Sequence, residues 1–209
     1  MTTEPDVFDG YARDAIGRLV REIPSHLKGP ILLSAGWIET PIGAMLAVAD
    51  EARLHMLEFL ERKVLPAELA RLRQTMRSAI EFGAAPPIAK VAAELDAYFA
   101  GRSAVFETPL APIGSVFTEA VWAELRRISP GETRSYGALA RQMGRPEAMR
   151  AVGRANGANP IAIVIPCHRL VGANGALTGY GGGLWRKEWL LRHERGSSFS
   201  STPQPITAT

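Results

Sequence analysis

The sequence predicts an α+β chain, with its strands gathered early and its helices late. Three observations carry that expectation. Residues 31–64 read as short strands, ILLSAGWIET, MLAVAD and LHMLEFL, with a turn at Pro41–Gly43 after the first. Residues 65–103 read as helical: LPAELARLRQTMRSAI, a Gly/Pro break at Gly83–Pro87, then IAKVAAELDAYFAG ending at Gly101. From Ser115 to Glu194 a series of short, capped helices surrounds one β-branched run.

Taken in order, residues 1–30 hold an amphipathic stretch, Val7 to Leu27, with Phe8, Tyr11, Ile16 and Leu19–Val20 at helical intervals before Pro24. In the later part Ser115 is an N-cap, and Phe117, Val121, Leu125 and Ile128 share one face until Pro130–Gly131. Ser135 caps a second short helix, YGALARQM, which stops at Gly144; Pro146 suits the first turn of a third, PEAMRAVGRAN. Three short helices with a basic third one fit a helix-turn-helix that reads DNA, and they equally fit any small helical subdomain. IAIVI then reads as a strand bounded by Pro166, and Asn174–Gly175 reads as the turn of a hairpin or wing between Leu170–Val171 and Leu177. Gly181–Gly183 leads into a last helix, LWRKEWLLRHE. No internal repeat is visible. The expected organisation is a helical extension at 1–30, an α+β domain at 31–110, a second domain at 111–195 and a polar, disordered tail at 196–209.

Of the 209 residues 46% are hydrophobic and 22% charged, ordinary proportions for a chain with a buried core. No apolar run is long enough for a membrane helix, and the acidic start MTTEPDVFDG is unlike a secretion signal, so a soluble, cytoplasmic protein is expected. The net charge of +3 divides unevenly: residues 1–113 carry 12 Lys/Arg against 15 Asp/Glu, residues 114–209 carry 12 against 6. A basic second half suits an anionic partner, or is a solvated surface. One cysteine excludes an internal disulfide and a thiolate-rich metal site, and the four histidines lack ligand spacing, so no metal or other cofactor is expected.

A lone cysteine is commonly a small buried apolar residue. Cys167, however, follows Pro166 directly and precedes His168 and Arg169. The thiolate is the reactive form, and a neutral imidazole is a natural base for the thiol proton. On an extended chain neighbouring side chains point to opposite faces, so the pair needs a bridging water or an irregular backbone after Pro166. In the last helix Leu184, Lys187, Leu191 and Glu194 share a face by their spacing. Packed over Pro166–Cys167, that face would bring Glu194 to His168 and a positive charge, Lys187, to the sulfur.

The segment RAVGRANGANPIAIVIPCHRLVGANGALTGYGGGLWRKEWLLRHE, Arg150 to Glu194, resembles the active-site region of the O6-alkylguanine-DNA alkyltransferases, whose signature is Pro-Cys-His-Arg after an apolar strand. The resemblance runs upstream without a gap through FTEAVWAELRRISPGETRSYGALARQMGRPEAM, and more loosely through ETPIG, LAVAD, MLEF and ELDAYFAG. It implies a ribonuclease H-like N-terminal domain with a small antiparallel sheet, and a helical C-terminal domain with a winged helix-turn-helix. It also implies a monomer acting on double-stranded DNA that contains O6-alkylguanine, in an irreversible, single-turnover repair reaction.

The resemblance assigns roles residue by residue. Cys167 matches the alkyl acceptor, His168 a water-linked base, Glu194 the carboxylate that steadies it, and Asn159 the residue holding the turn beside the site. Tyr136 matches the tyrosine that helps rotate the nucleotide, and Arg150 the arginine that fills the vacated stack. Ser135, Ala151 and Gly153 fall on the expected DNA-binding surface, the small residues allowing close approach to the groove. Tyr180, Gly181 and Leu170 fall on the expected alkyl pocket, and Lys187 on a lysine near the sulfur. Departures are Gly181, where relatives often carry Ser; Thr118, where many carry Gln; and the lack of the cysteines some relatives use for a structural zinc. Residues 1–30 faintly resemble the closing helix of a regulator domain in adaptive-response proteins. Three other readings are a lesion-binding relative without catalysis, which the presence of Cys167 opposes, a transcription factor, and a thiol hydrolase.

Overall fold

A computed structural model describes residues 32–197 and 199, with residues 14, 16–18 and 20 of the N-terminal segment. Those five early residues are helical, and Ile16 and Val20 are buried; the rest of the expected Val7–Leu27 helix, and the tail beyond Phe199, lie outside the described residues.

The chain divides into two compact units that interleave in sequence. The first comprises residues up to Leu95, Phe106–Ile113 and Pro160–Ala162; the second comprises Asp96–Val105, Gly114–Asn159 and Ile163 onward. The first unit is built on a four-stranded sheet of order β3-β2-β1-β4, from β1 (Leu32–Ile38), β2 (Met45–Ala49), β3 (Leu54–Phe59) and β4 (Ala79–Phe82). β1, β2 and β3 form an antiparallel meander, with Trp37 opposite Leu46 and Ala47 opposite Leu57. Its turns are chemically specified. Gly43, at φ 114°, closes on the Thr40 carbonyl at 3.1 Å, and Asp50 Oδ1 accepts from the amides of Ala52 and Arg53 at 2.8 and 2.7 Å.

Two expectations for this unit need correction. The sheet is mixed: β4 pairs in parallel with β1, Leu33 opposite Ile80. The stretch Ser78–Ile80, expected to be helical, belongs to this strand region instead. The helix α1 (Leu65–Met76) buries Leu65, Leu69 and Leu72, and it ends where Arg77 turns left-handed at φ 48°. The chain then re-enters the sheet, and Ile80 faces the same core as Leu33, Leu46 and Met56. Helix α2 (Pro86–Phe99) buries Ile88, Val91, Leu95 and Tyr98 along one stripe and stops before Gly101, at φ 68°.

In the second unit the expected capping chemistry is present. Ser115 Oγ accepts from the Thr118 amide at 3.2 Å to start α3 (Val116–Leu125), and Ser135 Oγ accepts from Ala138 at 3.1 Å to start α4 (Tyr136–Gln142). A 3-10 turn at Pro146–Ala148 opens into α5 (Met149–Gly157). Trp122 on α3 donates its indole N–H to the Ala155 carbonyl at 2.9 Å, so the third helix is anchored on the first. β5 (Arg134–Ser135) and β6 (Leu170–Val171) pair in parallel, and α6 (Leu184–Gly196) closes the unit.

IAIVI is not a strand. Ile161–Ile165 is a buried turn, and its one ladder contact is Ile161 beside Leu57 of the first unit, with Leu57 N–H to Pro160 O at 2.9 Å and Ala162 N–H to Leu57 O at 2.8 Å. Ile163 then adopts φ 69°, rare for a β-branched residue. The run is apolar because all five side chains are buried, a property that extended and turned backbones share. The wing is likewise incomplete. Asn174–Gly175 does turn, with Gly172 N–H to Ala176 O at 2.8 Å, but Leu177 lies outside any strand and β6 takes β5 as its partner.

One charged cluster stands out in the first unit. Glu58 on β3 is 1% exposed and bonded to Arg62, which also reaches Glu68 at 2.8 Å. Burial pushes the Glu58 carboxyl up to about 8; Arg62 opposes the rise and Glu68 adds to it. Between the ordinary value of 4.5 and about 8 the native state keeps a proton that the unfolded chain has released, so stability falls as pH rises through that window. Denaturant midpoints measured across it should decline for the natural chain and decline less for Glu58→Gln. Parallel curves would refute the assignment.

Candidate functional site

Pro166 (φ −81°, ψ 62°) ends the buried turn and starts a 3-10 turn, Cys167–Arg169, closed by Arg169 N–H to Pro166 O at 3.0 Å. The backbone after Pro166 is thus irregular, one of the two alternatives that the sequence leaves open beside a bridging water, since an extended chain would set Cys167 and His168 on opposite faces. Cys167 is 7% exposed, whereas His168 is fully buried. Asn159 is set just after α5 by the Asn156 carbonyl, and its Nδ2 donates to the Ile165 carbonyl at 2.8 Å and to Cys167 Sγ at 3.1 Å. One amide therefore fixes the turn and gives the sulfur a donor that favours its anionic form.

The buried charge beside the cysteine is organised by Glu194, in the last turns of α6. Its Oε1 accepts from His168 Nε2 at 2.9 Å, Arg169 Nη2 at 2.8 Å and Tyr98 Oη at 2.9 Å. Its Oε2 accepts from Arg169 Nε at 3.0 Å and from the Gly131 amide at 3.0 Å. Arg169 also donates to the Ile128 carbonyl. Burial alone would push the Glu194 carboxyl up. The charge that His168 can carry, the hydrogen bonds from His168 and Arg169, and the fixed Arg169 charge together hold it well below the usual carboxylate range.

With Glu194 ionised, the His168 proton belongs on Nε2, which leaves the lone pair on Nδ1. That Nδ1 is buried and makes no hydrogen bond to protein. Burial also pulls the imidazole below its ordinary 6.5 against the pull of Glu194, so a neutral ring is the resting form. Lys187, fully buried about two turns earlier on α6, donates to the carbonyls of Leu170 and Thr178, the latter at 2.8 Å. Burial pulls it down to about 8, with the charge of Cys167 acting in the other direction.

The remaining expected residues fall into two groups. Tyr136, first residue of α4, is half-buried; its hydroxyl faces the Thr178 carbonyl at 3.4 Å. Burial raises its pKa, and the charge of Cys167 raises it further, so the phenol remains a donor. Tyr180 stands nearly perpendicular to the His168 ring, with centroids 6.5 Å apart, and Gly181 beside it is exposed. Arg150 is exposed near the start of α5; Ala151 and Gly153 are half-buried, and a Cβ at Gly153 would stand 3.9 Å from the Tyr136 ring. Ser135 and Leu170 have structural placements of their own, the first as the helix cap read from the sequence. Ser135 uses its hydroxyl to cap α4, and Leu170 is fully buried, contributing its carbonyl. Tyr98 and Gly131 were missed. Tyr98 stands in the sequence only within the helical stretch IAKVAAELDAYFAG, and an amide leaves no mark in a sequence.

Among the described residues no group of His, Cys, Asp and Glu could hold a metal ion, and no helix is long and apolar enough to cross a membrane.

Residues 33–112 match the family described as "6-O-methylguanine DNA methyltransferase, ribonuclease-like domain", and residues 116–196 match its "DNA binding domain". A methylated-DNA–protein-cysteine methyltransferase of Shigella flexneri is 45% identical over 159 residues, 75% of this chain and 92% of the relative. Among solved structures, the O6-methylguanine methyltransferase of Mycobacterium tuberculosis is 41% identical with a TM-score of 0.68, covering 79% of this chain and 94% of that one. A second structure from that organism, solved in complex with DNA, is 39% identical with a TM-score of 0.67, covering 81% and 96%.

Removing the Glu194 charge would leave the buried Arg169 guanidinium without its counter-ion. The Glu194→Gln chain should therefore lose about 3–5 kcal/mol of stability. Denaturant unfolding measures this directly, and an unchanged midpoint would contradict the role given to the carboxylate.

Proposed function

Because the chain belongs to the 6-O-methylguanine DNA methyltransferase family, we propose that it repairs alkylated DNA by moving the alkyl group of an O6-alkylguanine onto Cys167. The observation that carries this reading is the sulfur itself. It takes a hydrogen bond from Asn159 at 3.1 Å, in the same turn as a buried imidazole that is locked to Glu194 and keeps Nδ1 available.

The chemistry balances on these groups. His168 Nδ1 takes the thiol proton through one water, and the thiolate displaces guanine at the alkyl carbon. The new bond is S–C and the broken one is C–O6, whose electron pair stays with guanine. The Tyr136 phenol, kept protonated by its surroundings, hydrogen-bonds to the charge that develops there. Lys187, a cation below about pH 8, adds positive potential beside the sulfur. The product thioether has no good leaving group, so each molecule acts once.

A base inside a duplex cannot reach a sulfur that is 7% exposed, so the nucleotide must leave the stack. Arg150 is the long side chain suited to fill the gap, with Ala151 and Gly153 keeping the helix face low against the groove. Tyr180 and Gly181 form the loop over the alkyl group.

Incubation with duplex DNA containing O6-methylguanine should add about 14 Da once, on the Cys167 peptide, and add nothing to Cys167→Ala. Binding without a mass change, or turnover beyond one lesion per protein, would reject the reading. Arg150→Ala should slow repair of duplex by about tenfold or more while sparing reaction with the free base; equal loss on both would remove the insertion role. Because burial lowers the His168 pKa, the acid limb of the transfer rate should lie below pH 6.5. A midpoint at or above that value would contradict the neutral base.

A further inference from the structure

Glu194 Oε1 receives His168 Nε2 and Tyr98 Oη at the same distance, 2.9 Å. Tyr98 lies in the last turn of α2 and is fully buried. Its ring stacks on Phe199 (5.7 Å, 8°) and meets His193 edge-on (5.2 Å), while its carbonyl accepts from His193 Nε2 at 2.7 Å. Both ring and backbone are thus held, and the phenol is aimed at the carboxylate oxygen that orients the imidazole.

Donors on one oxygen share its electron density, so strengthening one weakens the others; Oε1 takes His168 and Tyr98 together with Arg169, whose Nη2 lies at 2.8 Å and Nε at 3.2 Å. We propose that Tyr98 is a positioning residue for alkyl transfer: its hydroxyl pins Glu194 Oε1 and moderates that oxygen's hold on the His168 proton. The inference rests on the alkyl-transfer reading. Every charged or titratable group facing the pair bears on it. His168 meets Glu194 and Lys187 from α6, with Arg169 beside it in the chain and the Tyr180 ring nearly perpendicular to it. Glu194 meets Arg169 and the Gly131 amide, and Tyr98 meets His193. Arg169 and Lys187 act through fixed charge; Tyr98 acts through a bond that can be removed with no change of charge. Burial, and then the charge of Glu194, push the phenol well above its ordinary 10, so it stays a donor wherever the protein works.

Without the phenol, Oε1 becomes a stronger acceptor for Nε2–H, the imidazolium is favoured, and the base is lost at higher pH. Single-turnover methyl transfer measured against pH should show the acid midpoint of Tyr98→Phe about half a pH unit above the natural chain. Replacing the Tyr98 phenol by its 3-fluoro analogue, a stronger donor of nearly the same shape, should move the midpoint down. The His168 ring titration followed by NMR should move with each. A packing defect lowers the rate or the stability without shifting the midpoint in opposite directions. Midpoints coinciding with the natural chain in both variants overturn the inference, whatever the rates do. A natural chain that accepts no methyl group overturns the alkyl-transfer reading and this inference with it; one that does, with unmoved variants, overturns this inference alone.

Discussion

The buried carboxylate of Glu194 is the constraint around which the second unit is arranged. An ion of this size loses several kcal/mol of hydration when taken out of water, and only close counter-charge and full hydrogen bonding offset that loss. Arg169 supplies the charge, and Tyr98, Gly131 and His168 complete the acceptor valences. These donors come from three separate stretches of chain, and the carboxylate from a fourth. The cost of the buried ion therefore binds the end of α2, the turn after α3, the Pro-Cys-His-Arg turn and α6 to one geometry. The imidazole inherits its tautomer from that geometry, and with it a free Nδ1 for the base role proposed above.

The sulfur is served from the other side. Asn159 reaches back from the end of α5 to hold both the turn and Sγ, and Lys187 is moored to two carbonyls nearby. Electrostatic effects are larger where water is scarce, so a slight opening at Cys167 is compatible with a strongly assisted thiolate. Arg150, by contrast, is exposed on α5, as the role proposed for it requires.

Much of this was legible in the residues, for identifiable reasons. Helix caps at Ser115 and Ser135 depend on one side chain and its third neighbour, and Lys187 and Glu194 share a face by helical spacing alone. What failed to show was long-range. IAIVI looked extended because burial in a turn and burial in a strand select the same residues. Ser78–Ile80 looked helical because nothing local announces that Arg77 will turn left-handed and that a parallel neighbour awaits in β1. Tyr98 falls within a stretch legible as helix, yet the carboxylate it bonds to lies 96 positions away in the chain. Arg169 was visible beside His168, but its partner was not.

The interleaving of the two units has a consequence for how the chain can be divided. The family match suggests a cut near residue 114, between 33–112 and 116–196. Severing there would strand Pro160–Ala162 on the fragment that lacks Leu57, the residue they bond to, and would leave Tyr98 on the fragment that lacks Glu194. Each half would carry away a piece of the other, so a proteolytic nick at that joint yields two incomplete bodies rather than two independent modules.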